Sequence, residues 1–92
     1  MPRSDSTRLD ETVLAEMCLS ELAESPENLA EFMGVAGYDP ASLRAAVGTK
    51  EFGRGLLDYF ASNEPLLLTL CANRGLTPEA FMRVWHQLNP SH

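Results

Sequence analysis

The stretch GYDPASLRAAVG, residues 37–48, sets two glycines and an Asp-Pro pair around a short apolar run, and its reading decides the fold. A phosphate-cradling loop needs successive glycines running from a strand into a helix, with a lysine or an acid at a fixed distance. No strand-like alternation of apolar and polar residues precedes Gly37. The other reading is a helix between terminators. Asp39 offers a capping carboxylate, Pro40 has no N–H to leave unsatisfied in a first turn, and Leu43, Ala46 and Val47 recur at i, i+3 and i+4. Gly37 and Gly48 stand where a left-handed residue closes a helix. The stretch therefore predicts one short helix bounded by punctuation.

The same device recurs on both sides. Ser25-Pro26-Glu27 caps a helix with Leu29, Phe32, Met33 and Ala36 on one face, ended by Gly37. Upstream, Leu14, Ala15, Cys18, Leu19 and Leu22 form the stripe of a first helix that begins between Ser6 and Asp10. Downstream, Thr49 caps a helix carrying Phe52, Leu56, Leu57, Tyr59 and Phe60. Asn63-Glu64-Pro65 starts the leucine-rich run to Gly75, and Thr77-Pro78-Glu79 opens a last helix through Phe81, Val84, Trp85 and Leu88 that ends near Asn89-Pro90. These segments predict an all-α fold, a compact orthogonal bundle of five to six short helices. The irregular spacing of Pro26, Pro40, Pro65 and Pro78 argues against a solenoid of equal repeats. Pro65 to Arg74 is apolar on nearly every side and is expected to be the central helix. Gly53 and Gly55 inside a helix cost about 1 kcal/mol each relative to alanine, which implies close approach of a neighbour, with the leucine-rich helix as the candidate.

At 92 residues and 45% apolar composition, the chain is expected to be one helical domain over 1–92, with 1–8 disordered or frayed. Its longest apolar runs, such as Leu66 to Leu68, fall far short of the roughly 18 residues of a membrane span. The start MPRSDS has no apolar stretch of a secretory signal, so a cytoplasmic setting is expected. Cys18 and Cys71 lie in apolar runs and read as buried, reduced thiols.

Net charge is −6, and the excess is local: residues 1–48 hold nine acids against three arginines, residues 49–92 four acids against four basic residues. Nucleic-acid binding draws on a clustered basic surface, which this pattern lacks, so no nucleic-acid partner is expected. Catalysis needs a nucleophile, a base and an oxyanion site in one cleft. The histidines are His86, beside Trp85 on the last helix, and His92 at the terminus; with Cys18 and Cys71 they show no metal-ligand spacing. No catalytic residue, cofactor or metal is expected. Glu27 and Glu31 read as solvated charge, and Arg54 four residues before Asp58 reads as its salt-bridge partner. Leu9, Val13 and Met17 form a second apolar row on the first helix, displaced from the main stripe, and are a candidate interface together with Tyr38 in its turn.

Over residues 24–80 the chain resembles small alphaproteobacterial proteins of roughly a hundred residues, an all-helical family grouped as a domain of unknown function. The resemblance rests on Gly37, Asp39, Pro40, Leu43 and Arg44 of a Gly-x-Asp-Pro-x-x-Leu-Arg motif, on Gly55, Leu57, Asp58 and Phe60 of a Gly-x-Leu-Asp-x-Phe motif, and on Pro26 and Glu64. It implies the helical fold and a bacterial cytoplasmic setting, and it brings no activity, substrate or catalytic residue. The sequence is read first as a non-enzymatic protein-interaction module that meets a partner protein or a second copy of itself. A small-molecule or lipid-binding bundle is the alternative, suggested by the apolar surplus at Leu66 to Leu70. A helix-turn-helix-like DNA binder around Gly75 to Trp85 ranks third, because Arg74 and Arg83 are too few to supply its phosphate contacts.

Overall fold

In the computed structural model, which describes residues 9–89, every segment read as helical is a helix, and the described residues contain no strand. The frayed start expected at 1–8 lies outside the described residues. The helices are α1 (Glu11–Ala23), α2 (Pro26–Ala36), α3 (Pro40–Ala46), α4 (Lys50–Ala61), α5 (Glu64–Arg74) and α6 (Pro78–Leu88).

Each begins on a side chain that accepts a hydrogen bond from a first-turn backbone N–H: Asp10 from Val13, Ser25 from Asn28, Asp39 from Ser42, Thr49 from Phe52, Asn63 from Leu66 and Thr77 from Ala80. A helix start leaves four N–H groups without intrahelical partners, and each cap satisfies one of them. α3 carries a full capping box, in which Ser42 Oγ also accepts the Asp39 N–H at 2.9 Å. The Ser42 backbone bond holds the Asp39 carboxyl below its ordinary pKa. At the end of α2, Gly37 takes φ +83°, and the N–H groups of Gly37 and Tyr38 both donate to the Met33 carbonyl. That turn reverses the chain and folds Tyr38 inward.

The core is continuous. Leu14, Cys18 and Leu22 of α1 meet Phe32 of α2, Phe52, Leu56, Leu57 and Phe60 of α4, Leu66, Leu67, Leu70 and Cys71 of α5, and Phe81 and Val84 of α6. Phe32 is the hub of an aromatic cluster, with ring centroids 5.0 Å from Tyr59, 6.1 Å from Phe52 and 6.1 Å from Tyr38. The Cα radius of gyration is 13.2 Å, close to the roughly 12 Å that compact chains of this length show.

The most extensive helix pair is α1 with α4, so these two, and not the leucine-rich α5, form the centre. On α5, Leu66, Leu67 and Leu70 are buried while Leu68 is 48% exposed. Its high apolar content suggests the central place, but Leu68 and Thr69 turn one side of it to water. α3 buries no residue completely and lies on the periphery, with Leu43 and Ala46 packed partly against the core. The close approach inferred from the helix glycines is real at Gly53 alone, and its neighbour is α1: a Cβ there would sit 3.3 Å from the Ala15 Cβ. Gly55 is exposed and has no such neighbour within 4 Å.

Candidate functional site

α1 presents three different faces. Leu14, Cys18, Glu21 and Leu22 point into the core. One flank carries Val13 and Met17, and the other carries Thr12, Ala15, Glu16 and Leu19. This second flank runs beside α4 and leaves an open groove of about 210 Å³. Buried Phe52 and Leu56 form its apolar floor, half-buried Leu19 borders it, and Val47 at the end of α3 stands 46% exposed at its edge. The groove follows from local sequence. Small residues Ala15 and Gly53 let α1 and α4 approach closely at one point, and the Val47-Gly48-Thr49 link crosses between α3 and α4 beside them.

The groove's walls carry opposite signs. On the α1 wall stand Glu11 and Glu16, and on the α4 side stands Lys50. Glu11 pairs with Arg54, whose Nε lies 3.5 Å from Oε2. Glu16 and Lys50 are exposed, and neither has an ion-pair partner among the described residues. Two further open depressions lie elsewhere. One runs along Leu9, Leu76, Arg83 and Gln87, and another is bordered by Glu31, Tyr59 and Asn63. In the latter, burial and the Glu31 charge push the Tyr59 phenol up, against a hydrogen bond from Asn63 that pulls it down.

Of the candidate interface residues, Leu9, Met17 and Tyr38 are half-buried and pack against the core, and Val13 is half-buried beside them. The structure does not gather the four in one depression: Leu9 borders the α5–α6 side, whereas Tyr38 lies in the aromatic cluster, 5.7 Å from the Phe52 ring. Asp58 does not pair with Arg54. It accepts a 2.7 Å hydrogen bond from the Trp85 indole N–H, while Arg54 reaches across to Glu11 on α1. Interhelix geometry here outweighs the i, i+4 spacing along one helix. His86 is exposed with its ring against Trp85, and Glu27 and Glu31 are exposed.

Sequence reasoning passed over Glu21. It lies at i+7 from Leu14 and i+3 from Cys18, on the buried stripe, and that position was the available signal. Its side chain is 7% exposed, accepts a 2.8 Å hydrogen bond from Asn73 Nδ2, and faces Arg74 Nε at 3.6 Å. Arg74 also bonds Glu24 at 3.1 Å. Cys18 and Cys71 are both buried and free. Burial pushes both thiols up, and the Cys71 and Glu21 charges add to the effect on Cys18. Thiolate, the reactive form, is thereby suppressed. Among the described residues no three His, Cys, Asp or Glu side chains gather as metal ligands. No helix of the described residues is long and apolar enough to cross a membrane.

Fold and surface together define a small all-α bundle with an open apolar groove on its central helix pair. The family described as protein of unknown function DUF3572 matches residues 9–91, and the chain belongs to that family. No curated protein and no solved structure matches the chain.

Proposed function

We propose that this chain is a non-enzymatic, cytoplasmic protein-interaction module whose contact surface is the groove between α1 and α4. The observation that carries the reading is Val47. Among the described residues Val35, Val47 and Leu68 are the exposed large apolar side chains, and Val47 borders the α1–α4 groove. Water contact with the exposed apolar surface of Val47 and half-buried Leu19 is unfavourable by about 25 cal/mol per Å², a free energy that a docked protein surface recovers.

Groove size also favours a protein side chain over a small ligand. About 210 Å³, open to solvent, is below the roughly 300–1,000 Å³ of pockets that enclose drug-sized molecules, and suits one or two anchoring side chains. For the DNA reading, Arg74 is already engaged by Glu21 and Glu24, which leaves Arg83 without its companion. Leu9, Val13 and Met17 remain a second apolar row open to the same kind of contact.

The test is crosslinking in cells of wild type and of Val47→Glu, with circular dichroism confirming an unchanged fold. A crosslinked protein species, a second copy or another chain, is expected with wild type and should be lost in the variant. Identical species from both, or none from either, would refute the groove as a contact surface.

A further inference from the structure

We infer that the occupant of the α1–α4 groove is the same groove of a second copy, in a two-fold symmetric dimer; this rests on the groove being a contact surface. Three observations carry it. First, the walls bear unpaired charges of opposite sign, Glu16 on the α1 side and Lys50 on the α4 side, both exposed. A partner segment of uniform charge is attracted by one wall and repelled by the other. A second copy turned about a two-fold axis satisfies both, because in such a contact residue i of one copy meets residue j of the other and the reverse holds at the symmetric position. Glu16 then faces Lys50 twice.

Second, each copy supplies what the other lacks. Val47 projects at the groove's edge, and the floor of Phe52 and Leu56 accepts an apolar side chain. Reciprocal packing covers both exposed valines and the half-buried Leu19 of each copy in a single contact. Third, of the acids behind the net charge of −6 only Glu11 and Glu16 line the groove, and Glu11 is paired with Arg54. The exposed Glu27 and Glu31 stand on α2, and Glu24, which pairs with Arg74, follows α1; none of the three borders the groove.

The experiment is sedimentation velocity of the full chain over a concentration series, with two charge-reversal variants, Glu16→Lys and Lys50→Glu, and their equimolar mixture. Wild type is expected to dimerise. Each single variant places two like-charge pairs across the axis and should weaken the dimer by about tenfold or more. In the mixture one variant contributes Lys and the other Glu at both meeting points, so the heterodimer regains two opposite pairs and should form about as tightly as wild type. Helical circular dichroism should be the same in all samples, since both sites are exposed. A wild type that stays monomeric to millimolar concentration overturns the inference, as does a mixture no tighter than its components. A monomer that still crosslinks to another protein through Val47 would leave the groove as a docking surface with a different occupant, so the two readings fail separately.

Discussion

Gly53 and Gly55 stand two positions apart in α4 and meet opposite surroundings. Gly53 is buried where α1 passes, and a Cβ there would press on Ala15 at 3.3 Å; Gly55 faces solvent. A helix-interior glycine costs about 0.5–1 kcal/mol relative to alanine, mainly through backbone entropy, so only the residue with room can recover that cost. Gly55→Ala is expected to stabilise by about that amount, which at roughly 4–8 °C per kcal/mol for a domain of this size is a rise in Tm of a few degrees. Gly53→Ala should gain little, since its helix propensity is offset by a contact that α1 must yield to accommodate. Gly53→Leu overpacks the centre and should cost about 1–3 kcal/mol. Thermal melts followed at the helical band check the series, and a Gly53→Leu protein as stable as wild type would show that α1 and α4 are not in close contact. From sequence both glycines read alike; helix propensity is local, whereas the presence of Ala15 across the gap is a fact of packing.

At the scale of helices, the boundaries were legible because their causes are local. A cap, a first-turn proline and a closing glycine lie within a few residues of the turn they make, so the starts at Pro26, Pro40 and Pro78 follow directly from the chain. Which helices pair was not legible. α5 looked central by composition, yet α1 with α4 is the principal pair. Polar links between helices escaped in the same way: Trp85 to Asp58, Arg54 to Glu11, and above all Glu21 to Asn73 and Arg74. Glu21 clamps α1 to α5 through a carboxylate largely removed from water. Removing the cation from such a pair leaves a buried charge uncompensated, which costs several kcal/mol for full burial and less here because Arg74 is 26% exposed. Arg74→Met is expected to cost about 1–3 kcal/mol in the wild-type background. In a Glu21→Leu background, with no carboxylate to strand, the same change should cost under about 1 kcal/mol. Urea unfolding of the four proteins gives the coupling, expected to be at least about 1 kcal/mol; additivity within about 0.5 kcal/mol would mean that the Glu21–Arg74 pair does not hold α1 to α5.

For the molecule as a whole, the apolar stripes identified their own core members, Leu14, Cys18, Phe32, Phe52, Phe60, Leu70 and Phe81 among them, because every stripe must be buried and one small globule offers one place to bury it. The groove had no sequence signature. Leu19 and Val47 read as ordinary stripe residues until the crossing of α1 and α4 left their outer sides uncovered. One core shared by five helices has a further consequence for the two thiols. Cys18 is 0% and Cys71 4% exposed, on different helices, and burial raises both above the ordinary thiol range. A disulfide reagent needs both access and thiolate, and in the closed state burial removes the first and disfavours the second. Labelling must proceed through opening of the bundle, and with a stability of about 5 kcal/mol or more it should run roughly a thousandfold or more slower than in the unfolded chain. Both cysteines should be slowed by a similar factor, and the rates should climb with urea in step with the loss of helical signal. Peptide mass spectrometry resolves the two sites: Cys71 labelled much faster than Cys18 at native urea concentrations would show that α5 opens on its own, and that the core is two cooperative units in place of one.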